Sequence, residues 1–415
     1  MSKGSGRPSR RRFVQGVAVA TAAPAVFHVV PRHVLGVAQD QPPPSETFGA
    51  ALIGVGGQGP QTFKAMSQGL AVRKLAECDV KFLDRADNKT VYSDFRRLLE
   101  RKDIELIAIG TPPHWHALIS IAAAQAGKDV LCEKPMTRFI AEGRAVVNAF
   151  KRYGRVFQVG TFGRFGASKD PNRVLTHKIM RSGLLKACPA VHVHSESWKV
   201  KEWSGRPDLP VRPVPKNLDW DLYCGPSPLK PFVRERVGGT HRRYWDYDGG
   251  GLSDMGQHFW DPVQWTFGKD DTSPVEVEAH APPAHPEVTG MWGWVELKYA
   301  DGLTFVFDSK EWGERYSRKT ARGLSLEDLP EGEREKIKAM PDPEPLLTFA
   351  EAVKTRKQAG GNAEASHRCA TLLHLANVAI RTGRKIKYDP VKEQVVGDDE
   401  ANRLVNQPMR APWHL

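Results

Sequence analysis

A group of residues that follows the first apolar segment has the composition and spacing of a phosphate-binding turn. They are Gly54, Gly56, Gly57, Gln58 and Gly59. A strand-like run, 48–55, leads into them, and a helix-like segment follows. Glycine at these positions allows a tight turn and lets backbone N–H groups approach a pyrophosphate at the N-terminus of the helix. The pattern therefore predicts a dinucleotide-binding site.

The carboxylate that such a site needs stands at the end of a second strand-like run. Asp79 follows the run 72–78 and lies 20 positions after Gly59. In this place a carboxylate accepts hydrogen bonds from the hydroxyls of the adenosine ribose and repels a 2′-phosphate. Asp79 therefore favours NAD over NADP, while Lys81 leaves some tolerance for NADP.

Two later segments carry polar side chains at the ends of predicted strands. The run 104–110 precedes the first segment, and the run 129–132 precedes the second. Ligands of open parallel sheets bind outside the carboxyl ends of strands, so both segments are expected to face the cofactor. The histidines of the first segment are expected to shape the nicotinamide pocket. The candidate residues are Thr111, Pro112, His114, His116, Glu133 and Lys134.

Asp254 and His258 stand four positions apart in a segment that is predicted to be helical. At this spacing two side chains share one face of a helix. The aspartate can then orient the histidine and stabilise its charge, while the histidine accepts a proton from an alcohol. Three glycines, residues 249–251, precede the pair and permit the close approach of a ligand. On the residues alone, a helix with a packed histidine is the alternative.

Several other side chains are candidates for contact with a sugar, and core packing explains them equally well. They are Arg164, Trp198, Arg243, Tyr244 and Trp245. His192 and His194 alternate on one face of a predicted strand and, with His258, offer the donor atoms of a metal site. Because two histidines on a strand are more often structural, no metal is predicted.

The composition is that of a soluble globular protein with room for two hydrophobic cores. Of 415 residues, 40 % are hydrophobic and 26 % are charged. The net charge is +12, but five basic residues fall within the first dozen positions and the others form no block, so nucleic-acid binding is not expected. The 5 cysteines are scattered, and no disulfide framework or thiolate zinc site is predicted. No apolar stretch is long enough to predict a membrane span.

Consecutive arginines near the N-terminus precede a short, alanine-rich apolar run. Arg10, Arg11 and Arg12 are followed by the run 16–27 and then by a proline-containing linker. This arrangement is typical of a twin-arginine export signal. Residues 1–46 are therefore interpreted as signal and linker, and the protein is predicted to be periplasmic. Because the periplasm has no ready pool of soluble nicotinamide, the cofactor is expected to stay bound and to be recycled in place.

Together these motifs resemble the glucose–fructose oxidoreductase / inositol dehydrogenase / rhizopine-catabolism (Gfo/Idh/MocA) family of oxidoreductases. The resemblance runs from about residue 46 to the C-terminus. It implies an α/β fold with an N-terminal Rossmann dinucleotide-binding domain, 47–165, and a C-terminal α/β domain, 166–415. The second domain is expected to hold a large open, mainly antiparallel sheet, through which members often form homo-oligomers.

The resemblance also implies roles for three side chains. Lys134 is expected to reach the substrate hydroxyl beside the nicotinamide, His258 to act as acid and base, and Asp254 to be its partner. The predicted function is hydride transfer between NAD and a ring carbinol of a sugar, cyclitol or glycoside. The alternatives are redox-neutral cleavage of a glycoside through a transient keto intermediate, and sugar binding without turnover.

Overall fold

The computed structural model describes residues 47–185, 188–193, 198–321 and 323–415. The segment interpreted as signal and linker, residues 1–46, lies outside these ranges, and so does His194. The N-terminal part of the described chain forms a sheet of six parallel strands. They are β1 (Phe48–Ile53), β2 (Val72–Cys78), β3 (Val91–Tyr92), β4 (Leu106–Ile109), β5 (Asp129–Cys132) and β6 (Phe157–Val159).

The strand order of this sheet creates a crevice at its carboxyl edge. The order is β3-β2-β1-β4-β5-β6, so β1 has β2 on one side and β4 on the other. Strands β4 and β5 are buried along their whole length and are apolar except for Asp129 at the start of β5, which is typical of a parallel sheet covered by helices. The chain reverses its direction of winding at β1 and β4, and ligands of such folds bind at this point.

Helices connect the strands of the first sheet. They are α1 (Gly59–Ser67), α2 (Phe95–Leu99), α3 (His116–Gln125) and α4 (Ile140–Tyr153). No side chain caps the N-terminus of α1. Because the first N–H groups of a helix have no partner within it, an uncapped N-terminus beside the crevice suits an anionic ligand.

A second sheet of six strands follows. Its strands are β7 (Ala190–Val193), β8 (Glu276–His280), β9 (Trp294–Lys298), β10 (Thr304–Asp308), β11 (Ile386–Asp389) and β12 (Gln394–Val395). The order is β12-β11-β8-β9-β10-β7, and only the β10–β7 pair is parallel among the strands described. The predicted fold class, a Rossmann sheet followed by an α/β domain with a mainly antiparallel sheet, is confirmed.

Eight further helices belong to the C-terminal part of the described chain. They are α5 (Gly163–Ala167), α6 (Pro171–Ser182), α7 (Trp220–Cys224), α8 (Gly250–Thr266), α9 (Glu331–Ala339), α10 (Phe349–Thr355), α11 (Ala363–Thr382) and α12 (Asp399–Val405). Helices α8 and α11 share a hydrophobic core with the second sheet. In it the ring of Trp260 lies 4.1 Å from that of Phe307. This packing fixes α8, which carries Asp254 and His258.

Residues Phe48–Leu415 form one compact unit that contains both sheets. Side chains from the two halves of the unit can therefore build a common site. Among the described helices, none has the length and apolar character needed to cross a membrane.

Candidate active site

A cavity of about 210 Å³ lies where β1, β2, β4 and β5 end. Its walls come from both halves of the unit, because Leu222, Tyr223 and Arg242 line it together with the first sheet. Nine predicted cofactor-binding residues also line this cavity: Gly54, Gly56, Gly57, Gln58, Asp79, Thr111, Pro112, Glu133 and Lys134.

The glycines of the turn are required for different structural reasons. Gly54 has a φ of +86°, which favours glycine. A Cβ on Gly59 would lie 2.0 Å from the carbonyl oxygen of Gly54, so Gly59 allows α1 to pack against β1 and does not itself line the cavity. A Cβ on Gly56 or Gly57 would meet no atom within 4 Å, so both present bare backbone to the cavity. The turn therefore fits the pyrophosphate of a dinucleotide.

Asp79 lies directly after β2 and is held by two backbone donors. The amide of Val55 donates to its Oδ2 at 3.1 Å, and the amide of Lys81 donates to its Oδ1 at 3.0 Å. These bonds fix the carboxylate between the glycine turn and the turn after β2. A carboxylate in this place fits the ribose hydroxyls of NAD.

Lys134 and Asp254 form a buried ion pair between the two halves of the unit. Each side chain is 7 % exposed, and the Lys134 Nζ lies 2.9 Å from Asp254 Oδ1 and 2.8 Å from the Asp254 carbonyl oxygen. The Nε of Arg242 lies 2.7 Å from the same Oδ1, as an ion pair whose N–H does not point at the oxygen. The Trp203 indole donates to Oδ2 at 2.9 Å. Two cations and one carboxylate give this group a net positive charge.

The surroundings set the protonation of Asp254 and His258. Burial would raise the pKa of Asp254, but the charges of Lys134 and Arg242 outweigh it and lower the pKa to about 2. The surrounding protein and the Lys134 ammonium lower the pKa of His258 to about 4, against an opposing effect of Asp254. The His258 side chain is exposed and does not itself line the cavity, but its ring is close enough to Lys134 and Asp254 for their charges to shift its pKa.

Asp254 does not orient His258 through a hydrogen bond. The two side chains share one face of α8, as the spacing predicts, but the described residues include no hydrogen bond between them. The carboxylate instead faces Lys134, Arg242 and Trp203. Opposite charge attracts it to the cations more strongly than a neutral imidazole can.

His114 and His116 are buried supports and do not line the cavity. His114 is 0 % exposed, and its Nε2 lies 2.7 Å from the carbonyl oxygen of Tyr223. The Nδ1 of His116 lies 2.7 Å from the carbonyl oxygen of Pro135, and its Nε2 lies 2.8 Å from that of Thr111. His116 therefore ties together two segments that do line the cavity.

The predicted sugar-contacting residues also lie away from this cavity. Arg164 and Trp198 are 0 % exposed, and the Arg164 guanidinium pairs with Asp261 at 2.7 Å. Trp198 stacks in the core against Phe307. Arg164 and Trp198 make these contacts inside the core, so they fit the core-packing alternative and not the predicted contact with a sugar.

The other three candidates belong to one segment that packs beside the cleft. Arg243 donates to the carbonyl oxygen of Glu202 at 3.0 Å. Tyr244 is 2 % exposed, and the Trp245 indole donates to the carbonyl oxygen of His285. Their neighbour Arg242 reaches the cavity instead.

Sequence reasoning missed Arg242, Trp203, His241 and Asp248. Arg242 immediately precedes the candidates Arg243, Tyr244 and Trp245. The sequence therefore indicates the correct segment but not the residue in it that reaches the cavity. His241 and Asp248 line the cavity, with the His241 Nε2 3.6 Å from Asp248 Oδ2. Nothing in the pattern around Trp203 distinguishes it from a packed tryptophan.

No cluster of three His, Cys, Asp or Glu side chains suited to a metal ion occurs within the described ranges. His192 lies on β7, and its Nε2 is 3.9 Å from Asp308 Oδ2. The histidine pair considered as metal donors includes His194, which the structure does not describe.

Two family models match most of the chain. The first, "Oxidoreductase family, NAD-binding Rossmann fold", matches residues 48–161. The second, "Oxidoreductase family, C-terminal alpha/beta domain", matches residues 172–415.

Curated relatives match over shorter stretches. Levoglucosan dehydrogenase of Pseudarthrobacter phenanthrenivorans is 33% identical over 119 residues, or 29% of this chain and 28% of that protein. Inositol 2-dehydrogenase of Salmonella paratyphi B is 29% identical over 155 residues, or 35% of this chain and 45% of that protein. A glycosyl hydrolase family 109 protein of Solibacter usitatus is 31% identical over 122 residues, or 25% of this chain and 28% of that protein. The matched part spans less than half of each relative.

Solved structures share the fold over most of the chain. The WlbA dehydrogenase of Bordetella pertussis, in complex with NADH and UDP-GlcNAcA, has a TM-score of 0.52 and 17% sequence identity. The match covers 83% of this chain and 98% of that one. At this identity the likeness shows the fold alone.

Proposed function

Since the chain belongs to this oxidoreductase family, with its NAD-binding Rossmann domain, we propose that the protein oxidises a ring alcohol of a carbohydrate or cyclitol with NAD. The observation that carries the proposal is the Lys134 ammonium group, which is ion-paired with Asp254 at the edge of the nucleotide cavity. The names of the relatives, levoglucosan dehydrogenase and inositol 2-dehydrogenase, support a polyhydroxylated ring as substrate.

The residues of the cavity fit the parts of a dinucleotide. The bare backbone of Gly56 and Gly57 suits the pyrophosphate, and Asp79 suits the adenosine ribose. Glu133 accepts a hydrogen bond from the Thr62 hydroxyl at 2.8 Å, and burial raises its pKa. When bound, NAD supplies the acceptor for two electrons and for the hydrogen removed from the carbinol carbon.

His258 and Lys134 divide the work on the alcohol group. His258 accepts the hydroxyl proton at a ring nitrogen, because a pKa of about 4 keeps the ring neutral near neutral pH. Lys134 donates a hydrogen bond to the alcohol oxygen and stabilises its developing negative charge. Asp254 keeps Lys134 in place. When Lys134 turns to the substrate, the charge of Arg242 still balances the carboxylate and the Trp203 indole still donates to it.

The test is steady-state reduction of NAD with a panel of sugars, cyclitols and anhydrosugars. We expect Lys134→Ala and His258→Ala each to lower kcat/KM at least ~100-fold while NAD binding is retained. Lys354→Ala is the matched control, because Lys354 donates to the Gly69 carbonyl oxygen away from the cavity. Wild-type rates in both the Lys134 and His258 variants would reject the site, and NAD binding without turnover of any substrate would favour a sugar-binding protein.

A second candidate function is redox-neutral cleavage of a glycoside, which the similarity to glycosyl hydrolase family 109 proteins favours. Oxidation of one ring alcohol to a ketone, with hydride transfer to NAD, acidifies the neighbouring C–H bond, and loss of that proton expels the aglycone as its alcohol. Water then adds to the resulting double bond, and return of the hydride restores the ring alcohol. Release of nitrophenol from nitrophenyl glycosides, with no accumulation of reduced nicotinamide, would identify this reaction. Steady accumulation of reduced nicotinamide would identify net oxidation.

We further propose that residues 1–46 direct export by the twin-arginine route and that NAD remains bound after export. The consecutive arginines and the apolar run after them support export. A reporter fused to residues 1–46 should reach the periplasm only in cells with an intact twin-arginine translocase. Protein purified from the periplasm should release about one NAD per chain on denaturation.

The homo-oligomer expected from the family resemblance is also a proposal. The face of the second sheet that lies away from the core carries Trp294 and His280, half-buried side chains whose rings stack 5.4 Å apart. Such a face can pack against a second copy of the chain. Sedimentation equilibrium should give a multiple of 46.2 kDa for the full chain.

A further inference from the structure

One segment of the C-terminal half, residues 217–226, lies across the nucleotide cavity and is called the strap. Its Leu222 and Tyr223 line the cavity together with the glycine turn. The Asp219 amide donates to the carbonyl oxygen of Val80 at 2.9 Å, and the Leu83 amide donates to that of Asn217 at 3.3 Å. The strap is therefore hydrogen-bonded to the turn that follows Asp79, at the end of the cavity suited to the adenosine ribose.

The strap also rests on the segment that follows β4. The Trp115 indole donates to the carbonyl oxygens of Leu222 and Tyr223 at 3.0 and 3.2 Å. A Cβ on Gly225 would lie 2.2 Å from the Trp115 ring, so this close contact requires glycine. Trp115 itself lines the cavity. The strap thus closes one side of the cavity, with both of its contact regions in the Rossmann half.

The last part of the chain, residues 408–413, binds both the strap and the Rossmann half and is called the tail. Arg410 makes the contacts to the strap. Its Nη1 lies 2.7 Å from Asp221 Oδ1, its Nη2 donates to the Asp221 carbonyl oxygen at 2.8 Å, and its Nε donates to that of Gly225 at 3.0 Å. The Arg410 amide also donates to the Pro226 carbonyl oxygen at 2.8 Å.

Trp413 anchors the other end of the tail beside the cavity. Its ring lies edge-on to Trp115 at 4.8 Å and 6.5 Å from Phe95, and the Arg96 guanidinium lies 5.2 Å from it. Trp115 and Phe95 both line the cavity. The tail therefore spans from the strap to the wall of the cavity. Arg410 binds the strap directly, whereas Trp413 packs on Trp115, whose indole also bonds to the strap.

We propose that the tail fastens the strap over the nucleotide cavity, so that Arg410 and Trp413 determine how slowly NAD dissociates. This inference rests on the proposed function, because it takes NAD as the occupant of the cavity. Displacement of the strap breaks the Arg410 contacts to Asp221, Gly225 and Pro226 together, and these contacts therefore slow the opening that release requires. Arg410 and Trp413 are positioning residues, since neither lines the cavity.

The test measures the release of NADH from the full chain by stopped-flow fluorescence after mixing with excess NAD. We expect Arg410→Ala and Trp413→Ala each to accelerate release roughly tenfold, which corresponds to the loss of about one charge-assisted contact or one aromatic pair. Arg410→Lys should restore part of the slow release, because it keeps the charge opposite Asp221. Arg384→Ala removes an exposed ion pair with Asp398 and should leave the release rate unchanged.

The outcomes separate this inference from the proposed function. Wild-type release rates in both tail variants, with NADH still bound, would overturn the role of the tail and leave the proposed function standing. A wild-type chain that binds no NADH would overturn both. Faster release in Arg410→Ala and its partial rescue in Arg410→Lys, with equal melting temperatures for these two variants, would exclude general destabilisation as the cause and support the tail.

Discussion

The Asp254 carboxylate contacts two cations, Lys134 and Arg242, and the Trp203 indole. These charges affect the protonation of both Asp254 and His258. Lys134 and Arg242 hold its pKa at about 2, so it stays ionised wherever the protein is folded near neutral pH. The surrounding protein and the charge of Lys134 lower the pKa of His258, against the opposing charge of Asp254. Lys134 therefore both contacts the proposed substrate oxygen and keeps the proposed base neutral.

The first prediction concerns the protonation of His258. Because the neutral ring is the base, kcat/KM should rise with pH through about 4 and then stay level, with no step at the ordinary histidine value of 6.5. Replacement Lys134→Met should raise the pKa of His258 toward 6.5, because it removes a neighbouring positive charge. An NMR titration of the His258 ring measures this directly. A pKa near 6.5 for His258 in the wild type would contradict the proposal that its surroundings keep the ring neutral.

The second prediction concerns Glu142, a carboxyl group in the first turn of α4. It is 0 % exposed, it accepts a hydrogen bond from the Arg138 amide, and burial raises its pKa from 4.5 to about 7. Between these pH values the folded chain binds more protons than the unfolded chain, so the free energy of unfolding should fall as pH rises from 4.5 to about 7.

The replacement Glu142→Gln should abolish the fall in the free energy of unfolding between pH 4.5 and about 7, because glutamine does not ionise. The variant should be more stable than the wild type above pH 7, by on the order of 3 kcal/mol at most, and no more stable below pH 4.5. Urea unfolding at several pH values measures the difference. Glu344→Gln, at an exposed position, is the control and should leave the pH profile unchanged. Equal stability of Glu142→Gln and wild type at pH 8 would contradict the raised pKa.

At the scale of elements, the junction of β1 and α1 has two kinds of glycine with different tasks. Gly59 allows the helix to approach the strand, whereas Gly56 leaves open space for the ligand. Sequence spacing identifies both positions, but it does not distinguish their tasks. Only the neighbouring backbone, which includes the carbonyl oxygen of Gly54, separates the packing position from the binding position.

The third prediction uses this difference. Gly59→Ala should lower the free energy of unfolding by about 2–4 kcal/mol, because its Cβ would overlap the Gly54 carbonyl oxygen. Gly56→Ala should leave stability within about 1 kcal/mol of the wild type and weaken NAD binding, because its methyl group enters the cradle. Urea unfolding and calorimetric NAD titration measure the two effects. Equal effects of both variants on both measurements would contradict the assignment.

At the scale of the whole molecule, buried polar contacts join segments that are distant in sequence. Arg164 on α5 binds Asp261 on α8, Asp270 after α8, and the carbonyl oxygen of Gly360 before α11. The guanidinium is 0 % exposed, so these two carboxylates and the carbonyl oxygen must compensate its buried charge. This network holds the α8 scaffold that carries Asp254 and His258.

The fourth prediction therefore assigns Arg164 to stability and not to substrate binding. Arg164→Met should lower the free energy of unfolding by about 3–5 kcal/mol, because it leaves Asp261 buried without its partner. Arg181→Met, which removes an exposed ion pair with Asp271, should cost less than about 1 kcal/mol. The folded Arg164→Met fraction should keep the KM of the wild type. A raised KM without a loss of stability would restore Arg164 as a substrate residue.

The sequence by itself determined the Rossmann half and the cofactor. The strand-like runs, the glycine turn and Asp79 are local features, and the backbone geometry of a strand–turn–helix unit fixes their relative positions. The family resemblance implied the second sheet, and the four-residue spacing of Asp254 and His258 predicted the helix that carries them. The glycine turn and this spacing are short-range features, which a single sequence displays directly.

Only the tertiary structure decided how the polar side chains pair. Lys134 and Asp254 are separated by 120 positions, and Trp203 and Asp254 by 51. Packing of α8 against α11 and the second sheet places Asp254 beside Lys134 and Trp203, and the carboxylate contacts these side chains and Arg242 instead of His258. Other long-range contacts bury His114, His116 and Arg164 and join the tail to the strap. The energy of each pairing depends on distance and burial, and neither quantity is written in the local pattern of residues.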